Sequence, residues 1–258
     1  MKKLIVTVAL ACLSAATFAK DGLKTNRVAN AHMRATGGFV VKDDPCNGKL
    51  LIVNAQKKVD DVYLRQATGI LRYQVKINAE RVVSAPEIAA KPNAAAVKKL
   101  GGTLAVFVKD DAACDVTVLA APDARWAVVN VAPQNADNPG DEILGSRVKK
   151  AVLRATALIC GGGSSQYSMS LVGAFRDPVK DYDRFAKAGL PGDTYGKMAE
   201  YLMTLGMRPI NRTTYINACQ EGWAPAPTND IQKAIWDKVH ALPTAPLKIK
   251  PEAKKVAE

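Results

Sequence analysis

Apolar residues recur along this chain in three rhythms. Leu50-Leu51-Ile52-Val53 is an unbroken apolar run of strand length, suited to a strand covered on both faces. Val59, Val62, Tyr63, Gln66 and Ile70 follow at helical spacing. Tyr73, Val75 and Ile77 then alternate with Arg72, Gln74 and Lys76, the period-two pattern of a strand with one wet face. Strand, helix and strand in this order predict a right-handed crossover unit. A short helix is expected over Ala94 to Leu100. Leu104 to Val108, Val116 to Leu119 and Trp126 to Val131 read as further strands, and the turn at Ala121-Pro122-Asp123 makes the last two a hairpin.

The most sustained helical pattern comes next. Val148, Ala151, Val152, Ala155 and Ile159 predict a helix over about 146–161, capped by Ser146, with one apolar face and with Arg147, Lys150 and Arg154 along another. Gly161-Gly162-Gly163 ends it and lets the chain turn sharply. Helices are expected over Asp181 to Ala188, over Thr194 to Leu205 with Asp193 as cap, and over Asp230 to His240. The fold class is therefore α/β (α+β), a mixed sheet with packed helices and a helical C-terminal part from about residue 180. Residues 20–38 lack periodicity and are expected to form a flexible arm, 39–240 a single domain, and 241–258 a basic, proline-containing tail.

The first nineteen residues belong to none of these elements. Lys2 and Lys3, an apolar run from Leu4 to Leu13 and Thr17-Phe18-Ala19 together read as a secretory signal peptide over 1–19, too short to span a bilayer. A lipoprotein reading would use Cys12, but Ala9 stands three positions before it where such sites favour leucine. No later stretch is long and apolar enough for a membrane helix. The mature chain is thus expected to be exported, periplasmic or secreted. The whole chain carries a net charge of +12, and loss of the two signal lysines leaves 34 basic against 24 acidic side chains. That balance suits an anionic polymer, a cell-envelope component or a protein as partner. The lysines are scattered singly with little aromatic interleaving, which argues against nucleic acid.

Four cysteines follow the signal: Cys46, Cys114, Cys160 and Cys219. An even number in an oxidising compartment predicts two disulfides with three possible pairings, of which Cys46–Cys114 with Cys160–Cys219 keeps one bridge in each half. No pair has C-x-x-C spacing, and the mature chain holds only His32 and His240, so neither a metal site nor a cofactor is expected. Gly161-Gly162-Gly163-Ser164-Ser165 follows a helix instead of preceding one and has neither the Lys-Ser/Thr of a phosphate loop nor a G-x-S-x-G elbow. Asp110, Asp111 and Asp115, like Asp177, Asp181 and Asp183, lack the glycine-centred spacing of a calcium loop and are assigned to turns and caps.

The segment RVKKAVLRATALICGGGSSQYSM (147–169), preceded by AVFVKDD (105–111) and VTVLAAPDARWAVVNVAPQ (116–134), resembles the archaemetzincin-like, minimal zinc proteases. In that family a helix carries H-E-x-x-H-x-x-G-x-x-H, the chain reverses at the glycine, and a methionine turn underlies the metal. With Gly161 as the motif glycine, the first histidine falls on Arg154, the glutamate on Ala155, the second histidine on Leu158 and the third on Ser164, while Met169 takes the methionine-turn position a few residues early. None of the four chemical residues is present. The resemblance, over roughly residues 48–185, implies a zincin-like fold whose active-site helix is degenerate, with no catalytic residue and no metal. It also implies that Arg147, Lys150 and Arg154 line a basic cleft where the metal would lie. The function expected from it is an exported, non-catalytic, metzincin-like pseudoenzyme acting as a binding or structural module. The alternatives are a hydrolase with an unrecognised non-zinc site and a periplasmic polyanion-binding protein.

Overall fold

The structure, a computed structural model, describes residues 31–42, 44–55, 59–83, 92–163, 165, 170–173, 177, 179–184 and 190–241. The signal peptide expected over 1–19 and nearly all of the tail expected over 241–258 lie outside these residues. Where one domain was expected over 39–240, the chain divides into two compact units: Asp43–Asn211, and Met1–Lys42 together with Arg212–Glu258.

The larger unit is built on a five-stranded mixed sheet. In chain order it runs β2 (Leu50–Asn54), α1 (Asp61–Tyr73), β3 (Ala79–Val83), α2 (Ala94–Lys99), β4 (Leu104–Lys109), β5 (Val118–Ala121), β6 (Trp126–Asn130), α3 (Asp141–Ile159), α4 (Lys180–Arg184) and α5 (Gly192–Thr204). Across the sheet the order is β3-β2-β4-β6-β5, with β5 antiparallel to β6 and the other pairs parallel. Successive strand side chains point to opposite faces, so a strand covered on both sides reads as a continuous apolar run. Leu50 and Ile52 pack with α1 and α3 on one face, while Leu51 and Val53 pack with Ala96 and Val97 of α2 on the other.

Tyr73, Val75 and Ile77 do not form a strand: α1 continues to Tyr73, and Lys76 has a φ of 62°, which an extended strand excludes. The apolar stripe of α1 is also in a different phase, because Leu64, Ala67, Thr68 and Leu71 are buried while Val62 is 45% exposed. A five-residue alternation at a helix end cannot separate the two periods. The central helix begins at Asp141 behind Gly140, so Ser146 lies inside it; Asp141 and Glu142 sit in its first turn, where the helix dipole favours negative charge. Asp193 likewise lies in the first turn of α5, which Pro191 precedes as cap. The expected helix over 181–188 is seen as Lys180–Arg184, and 185–189 lie outside the described residues.

In the smaller unit, β1 (Phe39–Val41) pairs antiparallel with β7 (Arg212–Thr214), followed by α6 (Tyr215–Gln220) and α7 (Asp230–His240). Residues 31–36 are helical, so this part of the expected arm is ordered into the unit. Gln232 donates Nε2 to the Gly37 carbonyl at 3.0 Å, and the Tyr215 amide donates to Gly38 at 2.9 Å, tying that helical piece to α6 and α7. Asn229 caps α7 through the Gln232 amide.

The two expected disulfides are absent. Cys46, Cys114, Cys160 and Cys219 are all free thiols. An even count in an oxidising compartment is a compositional argument, whereas a bridge needs paired Cα and Cβ positions within narrow limits, which these cysteines do not have. Cys160 is fully buried and its thiol is pushed well up by burial; Cys219 is buried and shifted the same way. Thiol titration of native mature protein is accordingly expected to label Cys46 and Cys114 quickly, and Cys160 only on unfolding, with four thiols in denaturant. Finding none in denaturant would contradict these positions.

Candidate functional site

α3 is the element that the resemblance singles out, and it is buried on nearly every side. Val148, Ala151, Val152, Leu153, Ala155, Thr156, Ala157 and Ile159 are all covered. It approaches α1 so closely at Gly145 that a Cβ there would lie 2.6 Å from the Tyr63 ring. The helix ends as expected: Gly161 takes a φ of +76°, and the Gly162 amide returns to the Ala157 carbonyl at 2.8 Å.

Arg147, Lys150 and Arg154 do share one stripe of this helix, at i, i+3 and i+7. They do not line an open basic cleft. Arg147 is 2% exposed, with Nη1 and Nη2 on the Asp137 carboxylate at 2.6 and 2.9 Å, Nε and Nη2 on Asp183 at 2.9 and 2.6 Å, and Nη1 also on the Gln134 carbonyl at 2.7 Å. Lys150 is 4% exposed and donates Nζ to the Tyr182 carbonyl at 2.7 Å. Arg154 donates Nη1 to the carbonyls of Leu171 and Gly173. The stripe thus serves as a row of donors for the main chain at 171–173 and 182 and for two carboxylates. Removing water from backbone carbonyls requires replacement donors, and this row supplies them.

The electrostatics follow from these contacts. Hydrogen bonds to Asp137 and then Asp183 raise the Arg147 guanidinium above its ordinary value, and the same guanidinium holds the Asp137 carboxyl below the usual carboxylate range. Desolvation lowers both Lys150 and Arg154. Tyr182, fully buried, is pushed up to about 12 by desolvation.

Of the positions matched to the zinc motif, Arg154 turns to the 171–173 main chain, Ala155 is fully buried in the core, Leu158 is half-buried and Gly161 makes the turn; Ser164 and Met169 lie outside the described residues. Among the described residues no group of three or more His, Cys, Asp or Glu side chains is placed to hold a metal ion. The aspartates act locally or structurally: Asp111 pairs with Lys109 at 2.7 Å, Asp177 caps α4 through the Val179 and Lys180 amides, and Asp183 serves Arg147.

No protein-family model matches the chain, and no curated protein matches it. Among solved structures it is similar to archaemetzincin from Methanopyrus kandleri, with 14% identity and a TM-score of 0.47 over 61% of this chain and 97% of that one. It is also similar to a zinc-dependent peptidase from Methanocorpusculum labreanum, with 13% identity and a TM-score of 0.45 over 58% of this chain and 100% of that one. The chain weakly resembles these proteins. At such identity the resemblance says nothing of what this chain does.

Residues that sequence reasoning passed over do much of the organising. Asn130, at the end of β6, accepts the Asp111 amide and donates Nδ2 to the Asp111 and Cys114 carbonyls, fixing the loop between β4 and β5. Gln134 is fully buried, donating to the Asn130 carbonyl while its own carbonyl serves Arg147. Asp137, ten residues before Arg147, carried no signal beyond lying in a polar, turn-rich stretch.

Arg147→Met is expected to cost about 2–4 kcal/mol, because a buried ion-paired hub is broken and the Gln134 carbonyl is left without its donor. A lowered urea midpoint measures this. The depressed Asp137 carboxyl adds stability that is present above the ordinary carboxylate value and lost as pH falls below about 4 toward the lowered one. The acid-side loss should be smaller in the Arg147→Met variant than in the native protein.

Proposed function

We propose that this chain is an exported, metzincin-like pseudoenzyme that works as a binding or structural module. The observation that carries the reading is the use of Arg154 and Ala155. A zinc peptidase needs a histidine and a carboxylate at these matched positions, one to ligate the metal and one to act as general base. Arg154 instead commits its guanidinium to main-chain carbonyls, and Ala155 is a core residue. A guanidinium cannot be deprotonated to serve as a ligand, and it repels a cation. The signal-like pattern over 1–19 supports export.

The polyanion-binding alternative cannot draw on Arg147 or Lys150, which are buried and engaged. It would rest on basic side chains outside α3. The hydrolase alternative has no nucleophile and base pair to point to among the matched positions.

Elemental analysis tests the central reading. Mature protein equilibrated with zinc and then desalted is expected to retain no stoichiometric metal, and about one tightly held zinc per chain would overturn the pseudoenzyme reading. Export is tested separately by sequencing the N-terminus of protein recovered outside the cytoplasm. A start at Lys20 is expected, and recovery only from the cytoplasm with Met1 intact would remove that part of the proposal.

A further inference from the structure

The sheet of the larger unit ends at β3, which pairs only with β2, so the other side of its backbone meets no described strand. The Leu50 amide takes the Asn78 carbonyl, which sets Asn78 and Glu80 toward β2 and turns the main chain of Arg81 outward. Beside this edge lies an open groove of about 390 Å3 between α1 and β3, lined by Arg65, Gly69, Arg72, Glu80 and Arg81.

The groove holds surplus positive charge. Glu80 is paired with Lys49 at 2.8 Å, and Asp61 is shared between Arg81 and Arg65, the latter at 3.5 Å. Arg72 gives Nη1 to the Ala79 carbonyl, a neutral group, at 3.2 Å. The groove's own lining thus sets the three guanidiniums of Arg65, Arg72 and Arg81 against the one carboxylate of Glu80, with Asp61 and Lys49 paired to them from beside it, and the forked donors of a guanidinium suit carboxylates.

Charged side chains on an edge strand can serve merely to discourage pairing. The helix side of the groove shows a feature that this protection does not require. Gly69 sits in mid-helix between Arg65 one turn earlier and Arg72 and Tyr73 one turn later, and a Cβ added to it would meet nothing within 4 Å. Glycine weakens a helix relative to alanine, and here no neighbour in the fold needs the space. The bare backbone gives the groove a flat floor.

We propose that this groove binds an acidic peptide segment in extended form, laid along β3. Such a ligand uses all three features together. Its carboxylates meet Arg65 and Arg72 over the Gly69 floor, its main chain pairs with the outward backbone of Arg81, and an alternate apolar side chain covers Val83, which is 57% exposed. The inference goes beyond the reading of α3 and holds whether or not that helix is catalytic.

The test uses the full mature chain and a fluorescent octapeptide of alternating glutamate and valine, with affinity read by anisotropy. Gly69→Leu fills open space, so its thermal midpoint should be unchanged or raised while affinity falls about tenfold or more. Arg72→Glu should weaken binding similarly. Lys98→Glu, on α2 at the opposite face, makes the same change in net charge and should alter affinity by about twofold at most. The same peptide with alternate amides N-methylated, and polyacrylate, which has no peptide backbone, should both bind more weakly. The proposal is overturned if the alternating peptide does not bind, if Gly69→Leu leaves affinity unchanged, if Lys98→Glu matches Arg72→Glu, or if either backbone-deficient ligand binds as tightly.

Discussion

The guanidinium of Arg147 is the point on which the larger unit depends. A charge removed from water is tolerated only when it is paired and hydrogen-bonded at every donor, and Arg147 meets that condition with two carboxylates and a backbone carbonyl. Asp137 and Asp183 stay about half-exposed, so water still solvates their outer sides and most of the desolvation falls on the guanidinium, the more weakly hydrated partner. Through this one side chain, the segment after β6, the middle sheet-covering helix and α4 hold one another in place. Lys150 and Arg154 extend the same arrangement along the helix, each giving its charge to main chain that would otherwise lie buried without a donor.

That use of charge bears directly on function. Three cations spaced along a helix look, in one dimension, like a surface prepared for an anion. In the fold they are internal partners, and a local surplus of positive charge lies instead at the sheet edge, where Lys49, Arg65, Arg72 and Arg81 outnumber the carboxylates paired with them. Whether a basic residue attracts a ligand depends on what already satisfies it. Net charge carries no information on that point.

The strands and helices with strong, long patterns were legible from the chain alone. β2, β4, β6 and α7 fall where continuous apolar runs or a capped amphipathic stripe place them, because such patterns are stable in only one kind of element. The short strands β1 and β7 had no readable period over three residues each. The apparent strand at 73–77 failed because a helix end and a reverse turn at Lys76 can mimic alternation over so few positions.

The sequence by itself determined the mixed α/β class, the helix that ends at Gly161, and the absence of histidine and glutamate from the matched motif positions, since these rest on residue identity and local periodicity. Only the tertiary structure decided that Arg147 and Lys150 point inward, that the four cysteines stay apart, and that a bare stretch of α1 lies beside the side of β3 that meets no described strand. Each of these is a relation between separate elements of the fold. A helical stripe tells which side chains share a face, but what that face meets is set by the packing of other elements against it.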